Sequence, residues 1–249
     1  MPWLLYIQRI KDGGHIYLMP PKHRLVPFIN HDKANQTEVM DPTNIGNLVC
    51  PFRMGLAGPP SCGKTSFILN LILNQSPPWQ CIRIIHLDPN SQEYKDVDAE
   101  IIHDIPTDMN AMIDSFDRDV KTLLIVEDIP LRTLTPKKRS VLDRALGYIS
   151  SHKSVSVICT MQDPFNILPT LKSLLNILVL WKMPMLSRTK ALTRQFNLQD
   201  HEVGQIFTGI CRGKHDSLMI DHSGSGPRLR KNLFIPIDLD GDSSSDDEE

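Results

Sequence analysis

Cysteine and long apolar runs are both scarce in this chain of 249 residues. The cysteines are scattered, odd in number and form no CxxC pair: Cys50, Cys62, Cys81, Cys159 and Cys211. They give no support to a zinc site and fit a reducing compartment. No apolar stretch approaches the roughly 20 residues that a membrane-spanning helix needs, and residues 1–7 lack the basic region of a secretory signal. We therefore expect a cytosolic globular protein with no membrane partner.

The formal net charge of −2 conceals an uneven distribution. Residues 236–249 contain seven acids and no Lys or Arg, so the rest of the chain has 27 basic against 22 acidic side chains, a formal charge of +5. Residues 242–249 are acidic, of low complexity and free of apolar side chains, which predicts a disordered acidic tail over 238–249. Its role stays open between an electrostatic decoy, a phosphorylatable docking segment and a solvated end with little function.

Residues 58–65 match the phosphate-loop (Walker A) pattern GxxxxGK followed by Ser or Thr. A predicted strand over 52–57 precedes the loop and a predicted helix over 66–73 follows it, which is the context that the pattern requires. Glycines let successive backbone N–H groups surround a polyphosphate, and the helix N-terminus favours negative charge. The alternative is a chance glycine loop, which leaves the four filled fixed positions unexplained. We expect ATP to be bound by Gly58, Pro59, Pro60, Ser61, Cys62, Gly63, Lys64, Thr65 and Ser66.

Within this loop, two side chains have expected roles in ATP chemistry. Lys64 is expected to reach the β- and γ-phosphates, and the Thr65 hydroxyl to ligate Mg²⁺. The predicted cofactors are therefore ATP and Mg²⁺.

Strands and helices alternate along the chain from residue 50 onward, which predicts an α/β fold with a mostly parallel central sheet flanked by helices. Apolar runs predict strands over 82–87, 100–103, 122–126, 154–160 and 177–181 and helices over 109–116 and 136–151, the first capped by Asp108. Residues 1–50 are irregular and contain short apolar pieces such as 15–18. We expect an N-terminal arm over 1–50 with at most one hairpin, an ATPase domain over 51–237 and the tail over 238–249.

The strand over 122–126 ends in two adjacent carboxylates, Glu127 and Asp128, in the position of a Walker B motif. Phosphate-loop hydrolases need one acid there for the magnesium shell, and motor types add a second acid that activates the attacking water. Two carboxylates at the end of a buried strand are costly unless a cation compensates them. A surface turn is the alternative, and it explains one acid better than two.

The predicted strand over 154–160 continues toward a polar end: the segment 155–162 finishes in the amide of Gln162. An additional strand following the acid-bearing one is typical of the additional-strand class of phosphate-loop ATPases, in which the polar residue at its end senses the γ-phosphate. We expect that catalytic role for Gln162, with an ordinary strand-end residue as the alternative.

With these motifs, the chain resembles the genome-packaging ATPases of the FtsK–HerA superfamily, the type found in large eukaryotic DNA viruses, virophages and Polinton-like elements. The resemblance covers roughly residues 50–237 and rests on residues 58–65, 123–128, 160–162, 171–176, 216–221 and 228–234. It implies an ATP-driven homo-oligomeric ring that threads double-stranded DNA into a preformed capsid. The implied partners are DNA, further copies of the chain and a capsid or portal-vertex protein. The implied location is the host-cell interior, nucleus or cytoplasm, or the virion.

The chain departs from the family pattern at two places. The family's acid pair usually begins with Asp, whereas Glu127 comes first here. By position, Glu127 would take the magnesium-shell place and Asp128 the water-activating place, and the exchanged roles stay open because the shorter Asp128 reaches less far. The family often has Arg two residues before the Asn that leads into the last core strand, and here Leu174 stands there. The arginine finger therefore stays open among residues that are otherwise surface charges: Arg139, Arg144, Arg188 and Arg194.

DNA contact and the overall function have alternatives of their own. The dense basic clusters at 136–139 and 228–231 are either contacts to DNA phosphates or solvated surface charge. Rival functions are another DNA translocase or helicase, a small-molecule kinase, and an inactive nucleotide-binding scaffold. A kinase would have an Arg-rich lid and an acceptor pocket, and neither is evident in the sequence. DNA-stimulated phosphate release would separate the motor from the kinase and the scaffold.

Overall fold

The computed structural model describes residues 46, 48–130, 133–163, 169–224 and 228–239, and the backbone of 26–28 and 38–40. Strands β1 (Val26–Phe28) and β2 (Glu38–Met40) pair antiparallel in a two-stranded sheet of their own. The predicted apolar piece 15–18 and tail residues 240–249 lie outside the described residues, so the domain boundaries stay a prediction. Among the helices of the described ranges, none has the length and apolar character to cross a membrane.

A nine-stranded sheet forms the centre of the fold, in the order β11-β10-β9-β8-β3-β7-β6-β4-β5. Neighbours from β5 to β8 in this order are parallel, and β8 to β11 are antiparallel. The predicted mostly parallel sheet is confirmed, with the additional strand β7 between β3 and β6. The strands are β3 (Arg53–Ala57), β4 (Cys81–Ile85), β5 (Glu100–Ile102), β6 (Thr122–Val126), β7 (Val155–Met161), β8 (Ile177–Trp181), β9 (Ser217–Asp221), β10 (Leu229–Lys231) and β11 (Ile235–Pro236).

Helices follow most of the parallel strands. They are α1 (Lys64–Asn74), α2 (Met109–Asp114), α3 (Pro136–His152), α4 (Pro169–Leu174), α5 (Leu186–Thr193) and α6 (Asp200–Gln205), the last continuing into a π-helical turn, Ile206–Ile210. Capping residues explain where two of the helices begin. The Asp108 carboxylate accepts hydrogen bonds from backbone N–H groups in the first turn of α2, and the Thr135 side chain caps α3 ahead of Pro136. The predictions of α2 and α3 are confirmed.

The apolar core lies on both faces of the sheet, because alternate residues of a strand point to opposite sides. Leu123 and Ile125 of β6 belong to the cluster that contains Phe67 of α1, whereas Leu124 and Val126 belong to the cluster that contains Leu146 of α3. Every residue of β6, β7 and β8 is buried. This rigid centre fixes where the strand ends lie.

The carboxyl ends of the parallel strands meet at one edge of the sheet. Ala57 at the end of β3 is paired with Met161 of β7, and Val126 at the end of β6 is paired with Ile85 of β4 and Cys159 of β7. The segments that follow β3, β4, β6 and β7 therefore leave the sheet side by side. All the predicted catalytic residues lie in these segments.

Candidate functional site

The phosphate loop connects β3 to α1 and is tied to the neighbouring strand by the Gly58 N–H, which donates to the Met161 carbonyl at 3.1 Å. A side chain at Gly58 has no room, since an added Cβ would lie 2.7 Å from Cys62 Sγ and 2.9 Å from Trp181 Cβ. Gly63 has a φ of 112°, a left-handed conformation that glycine adopts without strain. The structure thus explains why both fixed glycine positions of the phosphate-loop pattern are occupied by glycine.

The remaining loop residues differ in exposure. Pro60, Ser61 and Ser66 are exposed, Pro59 is half-buried, and Cys62 is buried. Burial raises the pKa of the Cys62 thiol, so this cysteine is a neutral packing residue. Helix α1 begins at Lys64, two residues before the predicted start at 66.

Lys64 is buried, with 7 % of its surface exposed, and is turned back onto its own loop. Its Nζ donates to the carbonyl oxygens of Gly58 and Pro59, at 3.1 and 3.3 Å, and lies 3.8 Å from Asp128 Oδ2. A buried ammonium group needs such partners. The cation is therefore held beside the loop and within reach of one of the two predicted catalytic acids.

Thr65 connects the loop to the other acid. Its hydroxyl lies 3.2 Å from Glu127 Oε1 and 3.4 Å from Glu93 Oε2, and can donate to one carboxylate at a time. Glu127 follows β6 directly and is 6 % exposed. Its pKa is raised above the usual range of a carboxyl, first by burial and further by the charge of Glu93, while Tyr94, Thr65 and His86 oppose the rise.

Two oxygens beside Thr65 are left without partners. The Tyr94 hydroxyl interacts with the Glu127 carboxylate and lowers its pKa. Even so, neither Tyr94 Oη nor Glu127 Oε2 makes a well-formed hydrogen bond within the described ranges. Buried polar atoms are nearly always hydrogen-bonded. Oxygen donors of this kind fit Mg²⁺, which prefers carboxylate and hydroxyl ligands.

Asp128 has a left-handed backbone conformation, with a φ of 42°, and its partners differ from those of Glu127. Its N–H donates to Thr160 Oγ1 at 2.8 Å, the Thr160 hydroxyl lies 3.2 Å from its Oδ1, and Gln162 Nε2 donates to its Oδ2 at 3.0 Å. The additional strand β7 thus fixes Asp128 through Thr160 and through Gln162 at its end. The structure brings together all five predicted residues: Lys64, Thr65, Glu127, Asp128 and Gln162.

Some residues of the site were not predicted from the sequence; they lie on the segment between β4 and β5 and near the phosphate loop. His86 and Glu93 lie beside Glu127, with their ligand atoms all within 4.8 Å of one another. His215 Nδ1 lies 3.1 Å from the Cys62 carbonyl, and the buried Trp181 packs against the same loop. One signal was available for His86: it directly follows the strand next to β6, although the prediction placed it inside that strand.

Two of the arginine-finger candidates make contacts at the surface of the protein. Arg194 forms an exposed ion pair with Asp200 at 2.9 Å, and Arg139 donates to the Leu134 carbonyl at 3.4 Å. Arg144 is exposed, and the side chain of Arg188 lies outside the described residues.

The interpretation of 228–231 as a basic cluster open to DNA or solvent is wrong for Arg230, which is 1 % exposed. It pairs with the buried Asp221 at 3.0 Å, and Lys231 pairs with Asp216 at 2.9 Å. Arg228 donates to the Phe196 carbonyl, in the segment that follows α5. The ion pairs of Arg230 and Lys231 fasten β10 to β9 and to the residue directly before β9. In the basic cluster at 136–139, Lys138 is half-buried and paired with Asp104, so Lys137 and Arg139 remain as candidate DNA contacts.

No protein-family model and no curated protein sequence matches this chain. Several solved structures are similar to it. The genome-packaging NTPase B204 from Sulfolobus turreted icosahedral virus 2, in complex with ATP-gammaS, aligns with a TM-score of 0.50 at 12 % identity, over 75 % of this chain and 98 % of that chain. The DNA-packaging ATPase B204 from Sulfolobus turreted icosahedral virus aligns with 0.50 at 13 %, over 74 % and 97 %.

EssC (ATPases 2 and 3) from Geobacillus thermodenitrificans has a TM-score of 0.52 at 11 % identity, over 79 % of this chain and 41 % of that chain. At such identities the likeness is one of fold. It confirms, at that level, the resemblance seen in the sequence. The chain has the fold of the phosphate-loop ATPases of the FtsK–HerA type, among them a viral genome-packaging NTPase.

Proposed function

We propose that this protein is an Mg²⁺-dependent ATPase that drives double-stranded DNA into a preformed capsid. The observation that carries the ATPase proposal is the convergence of five side chains from three strand ends. Lys64 and Thr65 follow β3, Glu127 and Asp128 follow β6, and Gln162 follows β7, all at the carboxyl edge of the sheet.

The loop residues bind and neutralise the triphosphate. Lys64 Nζ, which now donates to the Gly58 and Pro59 carbonyls, turns to the β- and γ-phosphates when they occupy the loop. Thr65 Oγ1 and Glu127 are the residues that would hold Mg²⁺, and when bound this ion neutralises charge on the transferring phosphoryl group. The left-handed Gly63 directs backbone N–H groups of the loop toward the phosphates.

The two acids divide the remaining work because they face different partners. Glu127 faces Thr65, which suits the magnesium shell. Asp128 lies beside Lys64 and Gln162 and is 31 % exposed, so it is accessible to a water molecule and can accept its proton. Gln162 holds Asp128 Oδ2 and reports the presence of the γ-phosphate to β7.

DNA packaging is the finer part of the proposal, and it is supported by the likeness to B204, which covers nearly all of that protein. In this proposal the chain forms a homo-oligomeric ring and docks on a capsid or portal-vertex protein, inside the host cell or in the virion. The exposed Lys137 and Arg139 contact DNA phosphates without reading bases, whereas Lys138 is half-buried and paired with Asp104. Another DNA translocase and an inactive scaffold remain the competing functions.

The test is phosphate release by the wild-type chain and the Lys64→Ala variant, each with and without double-stranded DNA. We expect wild-type turnover that DNA stimulates, and no turnover in the variant, because no other cation of the loop neutralises the phosphates. Lys153→Ala is the matched control, since Lys153 lies at the opposite edge of the sheet, just before β7. Unchanged turnover in Lys64→Ala contradicts the ATPase proposal, and turnover that DNA leaves unchanged contradicts the motor.

A further inference from the structure

Three potential metal ligands from two different segments meet beside the phosphate loop. His86 follows β4, Glu93 lies seven residues further on, and Glu127 follows β6; we call these three residues the His86 cluster. A ligand atom of each lies within 4.8 Å of those of the other two. The Thr65 hydroxyl lies between the two carboxylates, 3.2 Å from Glu127 Oε1 and 3.4 Å from Glu93 Oε2.

Charge alone makes this arrangement unfavourable. Two carboxylates at this distance repel each other, and Glu127 is also removed from water, with 6 % of its surface exposed. Within the described ranges, no Lys or Arg forms an ion pair with Glu93 or Glu127, whereas Asp128 next to them has Lys64. A cation between the carboxylates would compensate both charges.

The buried atoms around the cluster point to a ligand independently of its charge. The side chains of Glu127 and Tyr94 interact with each other, but neither Glu127 Oε2 nor Tyr94 Oη makes a well-formed hydrogen bond among the described residues, and both side chains are more than nine-tenths buried. A buried oxygen without a well-formed hydrogen bond destabilises the folded chain. Two of them at one place are explained if Oε2 coordinates an ion and the Tyr94 hydroxyl donates to the coordinating carboxylate, as outer-shell groups of metal sites do.

One nitrogen of the His86 imidazole lies against both backbone groups of Asp88. The Asp88 N–H donates to Nδ1 at 3.2 Å, and the Asp88 carbonyl oxygen lies 3.1 Å from the same atom. Metal binding through Nε2 requires the tautomer that is protonated at Nδ1, in which the ring donates to that carbonyl instead. His86 is half-buried, so the ring is partly shielded from solvent.

We propose that the His86 cluster binds a divalent first-row transition metal, Mn²⁺ being the probe, directly and without nucleotide. The ligands are one imidazole nitrogen and two carboxylates. Mg²⁺ dehydrates reluctantly and is usually held by one or two carboxylates together with phosphate oxygens, so a site with an imidazole and no phosphate disfavours it. This inference goes beyond the proposed function, because it requires neither ATP nor hydrolysis.

The experiment titrates Mn²⁺ into the full-length protein without nucleotide and follows free Mn²⁺ by electron paramagnetic resonance. We expect a Mn²⁺ site whose affinity falls by about tenfold or more in His86→Ala and in Glu93→Gln, in line with the effect of losing metal-site residues. His152→Ala and Asp96→Asn are the matched controls: His152 ends α3, and Asp96 is exposed in the same segment as Glu93. Both controls should bind Mn²⁺ as the wild type does.

Pulsed resonance of the bound ion separates coordination from a structural effect. The wild-type spectrum should show coupling to a nitrogen nucleus, and this coupling should vanish in His86→Ala but persist in Glu93→Gln at saturating Mn²⁺. Absence of nitrogen coupling in the wild type, or equal Mn²⁺ affinity in the wild type and His86→Ala, overturns the inference. Either result leaves the ATPase proposal standing if Mg²⁺-dependent turnover still requires Lys64.

Discussion

The hydroxyl of Thr160 is the contact through which β7 positions the water-activating acid. Thr160 is 3 % exposed, accepts the N–H of Asp128 at 2.8 Å and lies 3.2 Å from its Oδ1. Thr160→Val keeps the branched shape and removes the oxygen. The N–H of Asp128 then loses its partner, and the carboxylate loses one of the contacts that fix its direction.

The stability that Thr160→Val should lose follows from the hydrogen bond that the Asp128 N–H no longer makes. Leaving a buried donor unsatisfied costs about 1–3 kcal/mol, which for a chain of this size lowers Tm by roughly 2–4 °C per kcal/mol. Turnover should fall by about tenfold to a hundredfold, because a displacement of about 1 Å of a catalytic group is enough for such losses. Nucleotide affinity should stay near the wild-type value, since Thr160 has no contact with the loop residues 58–65 among the described hydrogen bonds.

The assay is calorimetric Tm together with steady-state phosphate release, and Thr189→Val is the matched control. The Thr189 hydroxyl is fully buried and has no hydrogen-bond partner among the described residues, so its removal should be neutral or stabilising. If both variants lose the same stability, the loss reflects the exchange of Thr for Val itself. If Thr160→Val keeps wild-type turnover, Asp128 does not depend on β7 and its catalytic placement here is wrong.

Four further variants test the catalytic acids, the buried ion pair and the acidic segment. Asp128→Asn should keep ATP binding and lose turnover, because the amide cannot accept a proton, whereas Glu127→Gln should also weaken Mg²⁺-dependent binding; titrations with labelled nucleotide would show a reversed pattern if the roles are exchanged. Arg230→Ala should cost about 3–5 kcal/mol in chemical denaturation, because it removes the cationic partner of the buried Asp221 carboxylate, and a cost under about 1 kcal/mol would show that the pair is solvated. Deleting 240–249 removes six acids, so DNA affinity should rise most at low salt; equal affinities at every salt concentration would exclude electrostatic screening by this segment.

The centre of the fold was predictable because its signals are local. Strands β4, β6, β7 and β8 are mostly apolar in sequence, and β6, β7 and β8 are buried along their whole length, as expected for strands covered on both faces. The phosphate loop marks the junction of β3 and α1. Helices α4 and α6 have six residues each, and β10 and β11 have three and two. Elements this short carry little periodicity. Helix α2 also has six residues, and it was predictable because Asp108 caps its start.

The candidate site was predictable where residues directly follow strands and not where the chain returns from a loop. Lys64, Glu127, Asp128 and Gln162 come from fixed positions next to β3, β6 and β7. Glu93 reaches Thr65 only because the segment after β4 folds back over α1, which no local pattern encodes. Likewise, Arg230 resembles a surface charge until β9 places Asp221 beside it.

The measurement that tests the central claim most directly is displacement of a triplex-forming strand from double-stranded DNA by the assembled protein. If the chain is an ATP-driven translocase, the wild type displaces the third strand with Mg²⁺ and ATP, and neither Lys64→Ala with ATP nor the wild type with a non-hydrolysable analogue does so. Phosphate release by the wild type with no displacement of the third strand would contradict the account.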